Sequence, residues 1–244
     1  MRVLVTRPPE AGKKTAATLR TRGHEPVLLP LSTPIRHPEA ALSALTLPHA
    51  AIAVTSAEAI RTLSALADRL APFLADPVFA VGPSSANAAR GLGFTNVIAA
   101  GGDGATLASC VSAHLGEARQ DGALLYLAGS PRSPVFEARL AVYGVHVTVA
   151  ECYEMTPVQN ASTALRHIFE ARRIDAVLLY SAETAKRFFA AVEASGIHEM
   201  PRDIRFCCMS NNVLAAIPAE FRQRASVAAS PDETALLALL DPLP

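Results

Sequence analysis

The chain has 244 residues, 50% hydrophobic and 18% charged, with 22 acidic side chains against 22 basic ones. That length holds one large domain or two small ones, each with ample core. Zero formal net charge gives no basic field for nucleic acid or a membrane surface, so any anionic ligand must be met by local groups.

The N-terminus runs straight into strand-like Val3-Leu4-Val5 with no leader pattern, and no apolar stretch approaches bilayer length. A soluble, unprocessed, cytoplasmic protein is expected. From there short β-rich runs alternate with Ala/Leu patterns at helical spacing, the signature of parallel sheets covered by helices. A strand at 2–6 and a helix at 10–22 lead to a strand at 26–29, with Gly23 just past the helix end as a C-terminal cap. Pro30-Leu31-Ser32-Thr33-Pro34-Ile35 then breaks the alternation. Strands at 51–55, 78–82 and 96–99 follow, with helices at 57–70, 84–92 and 104–118. The second half opens with a strand at 124–128, a helix at 134–142 capped by Gly144, and a strand at 146–150. A second break, Glu151-Cys152-Tyr153-Glu154-Met155-Thr156-Pro157, precedes helices at 160–172, 182–195, 211–217 and 232–240. Strands at 176–180, 205–209 and 226–229 separate these helices.

The second half repeats the first in register. Arg2-Val3-Leu4-Val5 is answered by Ala123-Leu124-Leu125-Tyr126, Ile52-Ala53-Val54-Thr55-Ser56 by Val177-Leu178-Leu179-Tyr180-Ser181, and Asn96-Val97-Ile98 by Ser226-Val227-Ala228. The two proline-marked breaks fall at equivalent positions and read as connectors near 30–35 and 151–157. The expected architecture is α/β: two similar domains, each a five-stranded parallel sheet flanked by helices, with a cleft between them as the place to seek a ligand. Domain 1 would be discontinuous, 1–32 plus 158–244, and domain 2 would span 36–152.

Polar groups gather at the predicted carboxyl ends of strands, where open α/β sheets bind ligands. These are Thr6-Arg7-Pro8, Thr55-Ser56-Ala57, Gly82-Pro83-Ser84-Ser85, Gly129-Ser130-Pro131-Arg132, Tyr180-Ser181-Ala182 and Ser210-Asn211-Asn212. Hydroxyls and free amide groups at a helix start suit anions, although ordinary helix capping explains any one of them. No phosphate loop, nucleophile elbow, zinc motif or dinucleotide fingerprint is present, and Gly91-Leu92-Gly93 sits at a helix exit. Cys110, Cys152, Cys207 and Cys208 show no metal spacing and read as buried thiols. His24, His146 and His198 read as surface or loop residues, and the helix dipole accounts for first-turn Glu58 and Glu183.

Several of these segments, in this order and spacing, resemble the uroporphyrinogen-III synthase family. They are Val3-Leu4-Val5-Thr6-Arg7-Pro8, Val54-Thr55-Ser56, Val81-Gly82 with Ser85-Ala86, the Tyr153-Glu154-Met155-Thr156-Pro157 connector, Tyr180-Ser181 and Ala229-Ser230-Pro231. The resemblance implies two α/β domains joined by a two-stranded linker, with the active site in the cleft. It implies no metal or organic cofactor. The implied substrate is hydroxymethylbilane, a linear tetrapyrrole with eight carboxylate side chains, cyclised with inversion of ring D and loss of water. A transient contact with hydroxymethylbilane synthase and a monomeric state are further expectations. Because the bilane also closes unaided without inversion, the main task is orientation, which suits many weak carboxylate contacts.

On this resemblance Tyr153 is the catalytic candidate, its phenol assisting departure of the hydroxyl. Arg7, Thr55, Ser56, Gly82, Ser84, Ser85, Gly129, Arg132 and Ser181 are the substrate-binding candidates, the two arginines as bidentate carboxylate partners. The chain departs from the family pattern at Arg132, one position early with Ser133 in the usual place, and at Ser210, which stands where the repeat has Gly82. Two other readings stay open: a non-enzymatic two-domain binder sensing a small anionic metabolite, and a nucleotide-using transferase, against which the missing glycine-rich loop after Val5 counts.

Overall fold

The computed structural model describes residues 1–115, 122–197 and 200–241; the end of the helix expected at 104–118 and His198 lie outside the described residues. In chain order the first half forms β1 (Arg2–Val5), α1 (Pro9–Thr21), β2 (Glu25–Leu28), β3 (Ser32–Arg36), α2 (Pro38–Leu45), β4 (His49–Val54), α3 (Ala57–Leu63), β5 (Val78–Ala80), α4 (Pro83–Leu92), β6 (Val97–Ala99) and α5 (Gly104–Leu115). The second half forms β7 (Ala123–Ser130), α6 (Val135–Val142), β8 (Val147–Pro157), α7 (Ala161–Ala171), β9 (Ala176–Leu179), α8 (Ala182–Ser195), β10 (Arg205–Cys208), α9 (Asn211–Ala215), β11 (Ala225–Val227) and α10 (Glu233–Ala238).

The chain divides into two compact units, unit 1 from Met1–Thr33 and Thr156–Pro244, and unit 2 from Pro34–Met155. Unit 1 holds a five-stranded sheet in the order β2-β1-β9-β10-β11, parallel throughout. Its central strands β1, β9 and β10 are apolar on both faces because helices cover both. Leu4, Val177, Leu179 and Phe206 pack into one core layer, while Val3, Val5, Ala176 and Leu178 pack into the other.

The sheet of unit 2 runs β8-β7-β4-β5-β6 in parallel, with β3 added on β8 as a sixth strand. Ile52, Val54, Leu125 and Leu127 face one core layer, and Ala51, Ala53, Phe79 and Tyr126 the other. The expectation of five strands in each sheet is therefore corrected for this sheet. The two proline-marked segments pair with each other: β8 runs for 11 residues through Glu151–Pro157, and β3 lies along it. The amide of His37 donates to the Cys152 carbonyl at 2.8 Å and that of Val158 to Leu31 at 3.2 Å. Partners fall in number as β3 rises, so these two strands are antiparallel. Pro34 is tolerated because β3 lies at the sheet edge.

Each sheet thus takes its first two strands from one half of the repeat and its last three from the other. With strands renumbered inside each repeat, both orders read 2-1-3-4-5, the flavodoxin-like arrangement. Smaller differences from the sequence reading are local. Helix α2, which the sequence reading missed, starts on Pro38 at its first turn. The helix expected at 57–70 stops at Leu63 and gives way to a 3-10 segment, Ser64–Phe73, broken at Ala67 with φ of 49°. Gly23 and Gly144 do take left-handed φ just past α1 and α6, at 76° and 66°. Cys152, Cys207 and Cys208 are buried free thiols, whereas Cys110 is only half-buried.

Candidate functional site

Strand order reverses between β1 and β9 in unit 1, and between β4 and β7 in unit 2. Such switch points are where two loops part beyond the carboxyl ends of neighbouring strands and leave room for a ligand. Thr6, Arg7, Tyr180 and Ser181 follow the first pair of strands; Thr55, Ser56, Gly129 and Arg132 end or follow the second pair.

In unit 2 the end of β4 places two successive hydroxyls on opposite sides of the sheet, as strand geometry dictates. Thr55 Oγ1 lies 2.7 Å from the phenol oxygen of Tyr126, whose ring is buried in one core layer. Ser56 caps α3, its hydroxyl accepting from the Glu58 amide at 3.2 Å. The same hydroxyl interacts with the phenol of Tyr153, whose ring joins the other layer.

A β-bulge sets the Tyr153 ring in place. Ala128 pairs with Glu151 and Gly129 with Tyr153, so Cys152 is the extra residue. The bulge re-aims the residue that follows it, and Cys152 and Tyr153 consequently enter the same core layer instead of alternating. Tyr153 lies across Gly129: a Cβ at that glycine would come within 2.2 Å of Tyr153 Cζ and 2.5 Å of its hydroxyl. Only 7% of Tyr153 is exposed. Burial pushes its phenol up to about 12, against a small opposing effect from Ser56, so the group stays protonated at neutral pH. Burial raises Tyr126 likewise, with Thr55 opposing.

Beside this pair Glu58 is 5% exposed, and the helix dipole alone does not explain it. Arg36, on β3, donates to its Oε2 at 2.9 Å, and Arg61 donates to Oε1. Arg132 donates through Nε to Glu137 at 2.7 Å and through Nη1 to Glu151. Glu137 first and then Glu151 hold its guanidinium firmly protonated. At the neighbouring β5 end Gly82 caps α4 in extended backbone with no atom near where a Cβ would sit. Ser84 is exposed and Ser85 buried in the first turn of that helix.

In unit 1 Thr6 donates to the Leu178 carbonyl at 2.7 Å, tying β1 to β9. The Arg7 guanidinium stacks 4.2 Å from the Tyr180 ring centre and donates to Glu233 Oε1 at 3.0 Å and Thr15 Oγ1 at 3.3 Å. Tyr180 donates to the same Glu233 oxygen at 3.0 Å, as does Thr15. Burial first, then Glu233, drives the Tyr180 phenol well above its ordinary value. Ser181 caps α8, accepting from the Thr184 amide at 3.1 Å. Ser210 caps α9 through backbone alone.

The fold therefore gathers Tyr153, Ser56 and Gly129, with Thr55 next to them, at one switch point, and Arg7 and Tyr180, with Ser181 adjoining, at the other. Tyr126, Glu58, Arg36, Thr15 and Glu233 were not singled out by the sequence reading as site residues. Their partners lie up to 226 residues away, beyond any local pattern. Among the described residues no group of three or more His, Cys, Asp or Glu side chains could hold a metal ion. Nor is any helix among them long and apolar enough to cross a membrane.

A family profile described as uroporphyrinogen-III synthase HemD matches residues 13–238. Among solved structures the chain is similar to a uroporphyrinogen-III synthetase from Helicobacter pylori, at 16% identity and a TM-score of 0.64, with 98% of each chain covered. It is also similar to a mutant uroporphyrinogen III synthase from Thermus thermophilus, at 18% identity and a TM-score of 0.59, with 98% of this chain and 97% of that one covered. Both likenesses speak for the fold. No curated protein sequence matches the chain.

Proposed function

The chain belongs to the uroporphyrinogen-III synthase family, and from that premise we propose that Tyr153 is its catalytic acid and that the strand ends of both units bind the substrate's carboxylates. Family membership makes the reaction the closure of hydroxymethylbilane to uroporphyrinogen III, with inversion of ring D and loss of water. We class the enzyme as a cofactor-independent hydro-lyase. The bilane hydroxyl takes a proton and leaves as water, and the electron-rich pyrrole chain is left as an azafulvenium cation. The substituted carbon of ring D attacks that cation to form a spiro intermediate, which fragments and recloses as the type III isomer.

The observation that carries the reading is the Tyr153 phenol, buried across Gly129 and beside the Ser56 hydroxyl at the switch point of unit 2. A neutral phenol can donate a hydrogen bond or a proton to the departing oxygen without first acquiring one from solvent. Orientation supplies the rest: the same atoms closed without the enzyme give the type I isomer, so selectivity lies in which ring D carbon meets the cation. Thr55, Ser56, Gly82, Ser84, Ser85 and Ser181 offer hydroxyls or open helix starts to carboxylates. Arg132 serves there only if a substrate carboxylate competes with Glu137 and Glu151. We further propose a cytoplasmic monomer that meets hydroxymethylbilane synthase transiently.

The test is to supply fresh hydroxymethylbilane to the purified protein and separate the oxidised porphyrin isomers by chromatography. Predominantly type III product is expected from the wild type. Tyr153→Phe should lower kcat by about a hundredfold, the lower end for loss of a positioned acid, with the residual product still type III. Type I product alone from the wild type overturns the reading.

A further inference from the structure

We infer that Arg7, Thr15 and Tyr180 form a carboxylate receptor at the switch point of unit 1, and that Glu233 occupies it as an internal stand-in which an incoming carboxylate displaces. That the displacing group is a substrate side chain rests on the synthase reading; the receptor itself rests on the geometry.

Three donors of different kinds converge on one oxygen. The Arg7 guanidinium and the Tyr180 phenol each reach Glu233 Oε1 at 3.0 Å, and the Thr15 hydroxyl donates to it as well. A guanidinium joined by two hydroxyl donors is chemically suited to a carboxylate and poorly suited to a cation or a neutral base. The donors are fixed before any ligand arrives. The Arg7 guanidinium carbon stands over the Tyr180 ring, 4.2 Å from its centre, and Thr15 is buried within α1. They stand where β1 and β9 part, the place this strand order reserves for ligands.

Glu233, by contrast, is the movable member. It sits at the start of α10, beyond the exposed residues Ala229, Ser230 and Pro231. Its side chain is 38% exposed, against 22% for Arg7. Rotation of the side chain into solvent would free the three donors while Leu236 and Leu237 keep α10 in the core. Asp232, the cap of α10, bonds the Ala235 amide at 2.9 Å independently of Glu233. An intramolecular carboxylate keeps the guanidinium neutralised when no ligand is bound, at a cost to ligand affinity, because each incoming carboxylate must compete with it.

The test uses the full chain labelled with carbon-13 at tyrosine Cζ; the four tyrosines give four signals, with Tyr180 assigned through Tyr180→Phe. Succinate is the probe, titrated by NMR into wild type, Glu233→Gln and Glu233→Asp. Both substitutions should tighten succinate binding about tenfold, equivalent to ~1.4 kcal/mol, with the Tyr180 signal moving. Adding Arg7→Gln to either should abolish the gain. Glu233→Asp retains the negative charge on a shorter arm, so it also answers a Glu233→Gln protein that folds poorly. Equal or weaker succinate binding in both single variants, or a gain that survives Arg7→Gln, overturns the inference. Isomer analysis with hydroxymethylbilane on the same proteins separates the two ideas: type III product without a succinate effect defeats the receptor alone, and a succinate effect without type III product defeats the synthase reading alone.

Discussion

The two switch points share one strand order and carry different side chains. In unit 1 a single carboxylate, Glu233, gathers three donors. In unit 2 a single guanidinium, Arg132, gathers two carboxylates, while Tyr153 and Tyr126 each meet a hydroxyl at the end of β4. Topology supplies the location in both; side chains that differ between the halves of the repeat decide which polar groups stand there. Duplication of a fold therefore need not duplicate a site.

Substitutions can break this contrast, beginning with the most buried charge of unit 2. Glu58→Ala removes the buried carboxylate that Arg36 and Arg61 share at the start of α3 and should destabilise the protein by about 3 kcal/mol, read as a lower urea midpoint. A smaller loss is expected for Glu233→Ala, whose side chain is far more exposed.

Alkaline pH comes next. The Tyr153 phenol is held near 12 in the fold against about 10 when unfolded, so the fold favours the neutral form. That contribution, on the order of 3 kcal/mol, is complete below pH 10 and lost as pH rises towards 12. Urea midpoints at pH 9 and pH 11 should fall less in Tyr153→Phe than in wild type. Tyr180, raised in the same direction, should give the same flattening from unit 1 when changed to Phe.

Gly129→Ala sharpens the comparison locally. Its new Cβ meets the Tyr153 ring, and such overpacking should cost about 2 kcal/mol. Product should shift towards the type I isomer as the ring is displaced, in an assay that leaves unit 1 untouched. The smallest effect is expected for Arg132→Ala. Its pairs with Glu137 and Glu151 are partly solvated, and such pairs contribute about 1 kcal/mol or less. A kcat/KM loss much larger than that stability change would show that Arg132 leaves its glutamates for the substrate.

Much of this was legible in residue order. Runs such as Val3-Leu4-Val5 and Val177-Leu178-Leu179 are apolar at every position because both faces of a parallel sheet are covered, and that pattern needs no partner to be recognised. Ser56 and Ser181 were legible as helix starts because capping is local. The two proline-marked segments were legible as extended connectors and, through the family resemblance, as a two-stranded linker; that their pairing adds β3 to the sheet of unit 2 as a sixth strand, with Pro34 at its edge, was not.

The sequence by itself determined the alternation of strand and helix and the repeat, because both are patterns of spacing along the chain, and the family resemblance, carried by several such segments in order, made Tyr153 the catalytic candidate. Tertiary structure alone decided that a bulge at Cys152 would lay the Tyr153 ring on Gly129 and beside Ser56, and that Glu233 would cross 226 residues of chain to fill the donors of Arg7, Thr15 and Tyr180. Those contacts join segments far apart in the chain, where no local periodicity records which side chain will meet which.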